Sequence, residues 1–486
     1  MDATKLLSVK RKAVINTKSN PRNILTSTLK ILVLASPLLL LTHLFHQGHE
    51  GHHPKSLEKG FLAPNVNPDM LTSGFWISRT PDADQLVLSP EEIKAWNMLE
   101  AGEKNSVIFD LVEFDRFKTG KEVEDALQKD ASEISGKKLY TRNRISVSAE
   151  DLKLLEASQN RKEIGGNIPL RYGILIRDSN IRIFPTYESL TEEPGDLEFD
   201  ELQNSRAKAF TCLLILHTSA DKGWFYVQMA DVHGWVPVDD VALVPDKRAA
   251  KSLTEPDDFL MVIGDTATVF SDPACTLPLT QIRMGTRVSL ISDANSRENT
   301  YSVMIPIKGS GGLVDLTMAY VKKSDDAHIG YFPLTRKNIL IQAFKLLGQP
   351  YGWGGLWKAR DCSSYIQDVF STMGVILPRN SKNQAESGSY FVQFSEKTPD
   401  SEKEAALNQA PPVTSLLRLN GHIMIYLGKV GDHYYVIHNS SGYRKPGLFK
   451  DQTTKLNQVV VTDLSLGKGS KKKSLIERLI SINTIA

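Results

Sequence analysis

Arg360-Asp361-Cys362-Ser363-Ser364-Tyr365-Ile366-Gln367-Asp368-Val369-Phe370-Ser371-Thr372-Met373-Gly374 is the stretch whose pattern decides how this chain reads. Tyr365, Ile366, Val369, Phe370 and Met373 recur at the spacing of one buried helical face, and Gly374 stands where such a helix stops. Cys362 therefore falls in the first turn. There, unpaired backbone N–H groups and the positive end of the helix dipole favour an anion, so the sulfur is expected to ionise more readily than a free thiol. The preceding Pro350-Tyr351-Gly352-Trp353-Gly354-Gly355 is too rich in glycine for a regular element and reads as a loop whose glycines let a substrate backbone approach.

Two histidines further on supply the groups a cysteine nucleophile needs. His422 to Leu427 and His433 to His438 are short apolar runs of β character, separated by Gly428-Lys429-Val430-Gly431-Asp432, a hairpin signal. Pairing Leu427 with His433 sets His422 opposite His438, so both imidazoles project from one face of the sheet. That is the geometry of a base and the residue that orients it. Singly, a buried cysteine is an inert small hydrophobe and a strand histidine a satisfied structural residue. Together they point to a catalytic Cys362 with His422 and His438. Zinc ligation by the histidine pair lacks a cysteine or histidine cluster at metal spacing, and no metal or other cofactor is expected.

The run Asn338 to Gly355, with Arg360-Asp361-Cys362-Ser363-Ser364, Leu377-Pro378-Arg379-Asn380-Ser381, Gln384 and Gly421-His422-Ile423-Met424-Ile425-Tyr426-Leu427-Gly428, resembles the NlpC-type, papain-like cysteine peptidases of the bacterial cell wall. More narrowly, it is similar to members with two bacterial SH3-like domains ahead of the catalytic domain. The resemblance implies hydrolysis of the bond between γ-D-glutamate and a diamino acid in peptidoglycan stem peptides. It implies Cys362 as nucleophile, His422 as base, His438 as orienting residue and Tyr351 beside the nucleophile. Asp361 matches a residue that pairs with the free amine of an N-terminal L-alanine, and Ser363 and Ser381 match polar positions of the same pocket. Asp361 is also favoured at its position as a helix cap, with substrate binding the preferred of the two readings. In close relatives the first barrel also supplies an acid and a tyrosine; here Val232-His233 stand where the tyrosine is expected, with Asp200 or Glu201 as candidates for the acid.

Two other classes share these residues. One is an amidase or acyltransferase using the same cysteine–histidine pair on another amide. The other is a noncatalytic wall-binding protein, which would have no need of Cys362, His422 and His438 together.

Composition bounds the rest. The 486 residues, 41% hydrophobic with a net charge of +2, suffice for several ordinary domains. No stripe of Lys and Arg with interleaved aromatics follows any element, so nucleic acid is not an expected partner, and a monomer is expected. The Lys471-Lys472-Lys473 run reads as a solvated turn before the last strand. Cys212 lies in an apolar strand-like run and Cys275 in a turn; the odd count of 3 cysteines gives no disulfide framework.

Basic residues from Lys5 to Lys30 precede the apolar Ile31 to Phe45, the order of an export signal, either cleaved or retained as a membrane anchor through residues 31–45. The expected location is the periplasm or cell envelope. The following His43, His46, His49, His52 and His53 read as an unstructured linker rather than a metal site.

The expected architecture is α+β. A signal or anchor and linker (1–56) leads to a mainly helical N-terminal module (57–167). Two small SH3-like β-barrels (168–250 and 251–328) then precede a papain-like catalytic domain (329–486). Trp224, Tyr226 and Trp235 on short strands of the first barrel read as core before ligand shelf.

Overall fold

The computed structural model describes residues 62–102, 108, 110, 111, 119–291, 299–324 and 326–485. The basic and apolar segment with its possible anchor at 31–45, and the histidine-rich linker, lie outside the described residues. No helix among the described residues is long and apolar enough to cross a membrane.

Short strands separated by turn residues build two seven-stranded antiparallel sheets, one from Arg171 to Val244 and one from Phe259 to Ile329. Each closes around its own apolar cluster: Leu213, Ile215, Val227 and Val236 in the first, Leu260, Val269, Val303 and Val321 in the second. Trp224, Tyr226 and Trp235 are buried, where they pack with Val123 and Leu127 of the helix Gly120–Ser132. They are core, with no shelf for a ligand.

The C-terminal domain sets one helix, α1 (Cys362–Ser371), against a six-stranded antiparallel sheet. Its strands are β1 (Ser389–Gln393), β2 (Ser415–Leu419), β3 (His422–Val430), β4 (His433–Lys445), β5 (Gln452–Asp463) and β6 (Ser481–Thr484), in the order β1-β6-β2-β3-β4-β5. Tyr365, Ile366, Val369, Phe370 and Met373 are at most 1% exposed, and they meet Ile423, Ile425 and Ile437 in one core. The helical periodicity read from the sequence is thus the face that packs on the sheet. Gly374, at φ +83°, takes the left-handed turn that ends the helix.

The described residues of the expected helical module at 57–167 pack against two neighbours. Ala63, Val66, Met70, Trp76 and Ile93 belong to the core of the C-terminal domain, and Leu86–Leu88 pairs with Leu334–Thr335. Val123, Leu127, Ala131, Ile134 and Leu139 instead bury against the first barrel. The physical reason is size, since helices this short cannot bury their apolar faces against one another alone.

Candidate active site

Asp361 sets the start of α1. Its carboxylate accepts the Ser364 backbone N–H at 2.8 Å while the Ser364 hydroxyl receives the Asp361 N–H at 2.9 Å, a reciprocal cap. Arg379 then grips the same carboxylate, Nη2 to Oδ2 at 2.6 Å and Nη1 to Oδ1 at 3.2 Å, and donates to the Ser363 hydroxyl at 2.9 Å. Its Nε reaches the Ser205 hydroxyl of the first barrel at 2.5 Å. Asp361 is therefore both cap and ion-pair partner. Burial alone would raise its pKa, but Arg379 and the capping hydrogen bonds outweigh that and hold it below the ordinary carboxylate range.

Cys362 follows in the first turn, only 7% exposed. The backbone N–H groups of Ile423 and Ser363 lie near enough to its sulfur to favour the thiolate, which puts the thiol against the start of β3, next to His422. The expectation of a readily ionised sulfur is corrected here. Burial, and after it the Asp361 carboxylate, pushes the thiol up to about 12, outweighing the N–H donors and Arg379. A helix terminus stabilises an anion by a modest amount, whereas desolvation of a buried group reaches several pKa units. Tyr351 lies beside this group: its phenol is pushed well above its usual value by burial, then by Cys362 and Asp361.

The histidines meet as expected, by a different register. The hairpin turns at Gly431-Asp432, with Val430 opposite His433 and an irregularity between Tyr426 and Gly428. Ile437 pairs with Ile425, where the sequence pairing sets it against Ile423, so the register moves by two residues at the site. A shift of one would have sent one imidazole to the other face; a shift of two keeps both on the same side as diagonal neighbours.

His422 Nε2 and His438 Nδ1 are 2.7 Å apart, and His438 Nε2 lies 2.9 Å from the Thr462 hydroxyl on β5. With Nε2 of His422 taken, Nδ1 is the nitrogen left to serve the sulfur. For that atom to accept a proton, Nε2 must carry one and donate it to His438, whose own proton then sits on Nε2 and points at Thr462. Burial holds His422 down at about 4, with Arg478 and Lys472 lowering it further and Asp361 opposing. The resting pair is a thiol beside a neutral imidazole.

The remaining sequence candidates fall at different distances from this group. Ser363 is joined to it through Asp361 and Arg379. Ser381 opens the short helix Ser381–Gln384, capped by Asn380, and among the described residues its hydroxyl has no hydrogen bond to the cluster. Asp200 is buried against Arg182 at 2.6 Å, and Glu201 pairs with Lys137 at 2.5 Å, so neither acid turns toward Cys362. His233 pairs with Asp130 at 3.0 Å. The barrel loop sends Glu198 instead, to Lys455 at 2.5 Å and Asn457 at 3.3 Å.

Gly354 and Gly355 are needed for close approach, but to the barrel: Gly354 O accepts Gln203 Nε2 at 3.0 Å, and a Cβ on Gly355 would come within 2.4 Å of the Arg206 side chain. All three cysteines are free, and among the described residues no group of side chains could hold a metal ion.

Comparison with known proteins agrees with this geometry. Residues 348–446 match the NlpC/P60 family, and residues 185–237 match an SH3 domain of the SH3b1 type. The chain is 26% identical over 157 residues to the gamma-D-glutamyl-L-lysine dipeptidyl-peptidase of Bacillus cereus (strain ATCC 10987 / NRS 248), covering 32% of this chain and 44% of that protein. It is 33% identical over 84 residues to the bifunctional muramidase/DL-endopeptidase CwlT of Bacillus subtilis (strain 168), covering 16% of this chain and 24% of that one. The matched part is thus less than half the length of either curated relative. A solved NlpC/P60 endopeptidase from Photobacterium damselae subsp. piscicida superposes with a TM-score of 0.68 at 18% identity, over 85% of this chain and 96% of that one, a likeness of fold. The chain thus carries an NlpC/P60-type domain at residues 348–446 with an SH3b1-type domain before it.

Proposed function

We propose that this chain is a cysteine endopeptidase that hydrolyses the γ-D-glutamyl–diamino acid bond of peptidoglycan stem peptides. The observation that carries the reading is the hydrogen-bonded row His422–His438–Thr462 ending beside a cysteine in the first turn of a helix. A buried, inert cysteine would need none of it. The Bacillus cereus relative is named for the corresponding γ-D-glutamyl bond to L-lysine.

In this mechanism the Cys362 sulfur attacks the amide carbonyl as its proton passes to Nδ1 of His422, because the resting pair is neutral and no standing thiolate is available. His438 accepts from Nε2 of His422 and steadies the imidazolium that forms. The C–N bond then breaks as His422 returns the proton to the leaving amine. Water, deprotonated by the same imidazole, hydrolyses the thioester and restores the thiol. Backbone N–H groups at the start of α1 face the developing oxyanion, with the Tyr351 hydroxyl, kept protonated, as a further donor. Asp361, Ser363 and Ser381 line the acyl side in this reading, Asp361 acting through Arg379 and the cap. No cofactor takes part.

A wall hydrolase acts outside the cytoplasm, which fits the basic and apolar order of residues 5–45. Incubation with L-Ala-γ-D-Glu-diamino acid peptides, with mass analysis of products, tests the assignment. Cleavage at the γ-D-Glu bond by the wild type and none by Cys362→Ala is the expected result; intact peptide with the wild type removes it.

A further inference from the structure

Between the Gly195 to Phe199 loop of the first barrel and the β4–β5 ribbon lies a pocket of about 630 Å³. Arg444, Lys455, Lys472, Lys473 and Arg478 line it, with Glu198 opposite. Lys455 is neutralised by Glu198 at 2.5 Å, and Asp196 accepts the Glu198 backbone N–H at 2.7 Å. Arg444, Lys472 and Arg478 have no salt bridge among the described residues; the Arg444 guanidinium reaches only the Thr453 hydroxyl, and Arg478 the Ser474 carbonyl. These three cations are close enough to repel: Lys472 is held below its usual value by burial, then by Arg478 and Arg444. A cluster of like charges left facing a pocket is destabilising unless something anionic enters.

Its position says which half of a substrate would meet it. Leu419 pairs with His422, Arg418 pairs with Ser481, and the Ile480 N–H donates to Arg418 O, so the chain bearing Arg478 runs past the His422 end of the sheet. Both Arg478 and Lys472 act on the His422 imidazole, while Arg379 and Asp361 flank the sulfur. In an amide hydrolysis the general acid protonates the leaving amine, so the leaving half lies toward the histidine and the acyl half toward the helix start.

Resting on the peptidase reading above, we infer that the pocket formed with Arg444, Lys472 and Arg478 binds the side-chain carboxylate of the leaving diamino acid, and so selects diaminopimelate over lysine at that position. A lysine side chain ends in an ammonium alone, which this pocket repels. Diaminopimelate ends in a carbon that also bears a carboxylate, and guanidinium groups hold carboxylates by charge-assisted hydrogen bonds.

The test compares kcat/KM on L-Ala-γ-D-Glu-diaminopimelate and L-Ala-γ-D-Glu-L-Lys for the wild type, Lys472→Glu and Lys472→Ala/Arg478→Ala. Lys472 is exposed in a turn, so its reversal leaves the packing intact. A charge-assisted contact predicts a wild-type preference of about 10- to 100-fold for diaminopimelate, carried in KM and falling toward unity in both variants. Two further peptides sharpen the assignment: amidation of the side-chain carboxylate of diaminopimelate should abolish the preference, and amidation of the α-carboxylate, a group lysine shares, should leave it. A wild-type ratio near unity, a ratio unchanged in both variants, or a preference that survives side-chain amidation overturns the inference. If neither peptide is cleaved, the peptidase reading itself fails. Calorimetric binding to Cys362→Ala then decides the pocket: a diaminopimelate preference abolished by added Lys472→Glu supports it, and equal binding of both peptides sinks it.

Discussion

Around Cys362 the charges are paired inside the protein; around His422 they are not. Asp361 meets Arg379, and behind them Arg360 reaches Asp368 at 2.7 Å and Asp265 at 2.5 Å while Lys208 holds Asp368 at 2.7 Å. Across the site, Arg444, Lys472 and Arg478 line a pocket, and among the described residues their side-chain cations have no carboxylate partner. Paired buried charge fixes a geometry, and unpaired charge at a pocket awaits a ligand. The first side would hold the nucleophile's helix in place and the second would recognise what departs.

Three measurements press on this contrast, beginning with the largest effect. With the thiol held up at about 12, iodoacetamide alkylation of Cys362 is expected to rise about tenfold per pH unit from pH 7 to 10, where an ordinary thiol levels off near its pKa of ~8.5. A plateau below pH 7 would mean that the dipole and His422 win after all.

The second effect is on stability. Removing one member of a buried pair leaves the other uncompensated, so Arg379→Ala should lower unfolding stability by about 3–5 kcal/mol in a denaturant melt, with Arg379→Ala/Asp361→Asn costing less than the sum. Strict additivity would show that the pair is not a unit. The smallest change is at the end of the histidine row. Thr462→Val should reduce kcat by about fivefold, with KM held and Thr462→Ser restoring the rate, as expected for loss of one hydrogen bond worth ~1 kcal/mol. A rise in KM alone would assign Thr462 to packing.

Protonation also reaches stability. His422 is neutral in the fold with its pKa down at about 4, so the unfolded chain binds more protons than the folded one between there and the ordinary imidazole value near 6.5. Its contribution is present above that ordinary value and is lost as pH falls toward 4.

That Cys362, His422 and His438 come together was legible because each is announced by its own neighbours: a helical stripe behind the cysteine, β runs around the histidines. The register error did no harm because parity, not exact pairing, decides which face a strand residue occupies. Thr462 and Arg379 were invisible as site residues because their partners lie on other elements, and nothing local marks a threonine in an apolar strand or an arginine after Pro378 as special. The strand Gln203–Ala207 carries no apolar alternation for a related reason. Gln203 and Ser205 are polar yet buried, since that face meets the loop at Gly354 and the side chain of Arg379 rather than an apolar core. Lys472 and Lys473 do lie in an exposed turn, as their run suggests, but the turn also borders the pocket. How the helices of the expected module at 57–167 share themselves between the C-terminal domain and the first barrel was not legible, because helical propensity says nothing about which neighbour a helix will choose.

That division has a consequence for how the molecule is made. Trp76 sits 5.5 Å from Tyr435, whose hydroxyl donates to the Asn65 carbonyl at 2.7 Å, and the Asn65 amide donates to Asp463 at 2.6 Å. Segments almost 400 positions apart thus complete one another. On a ribosome the early segment must wait, apolar and uncovered, through the synthesis of both barrels, and the enzyme's last domain can close only around a piece made first. A copy beginning after the barrels would emerge with a slot where that tryptophan belongs.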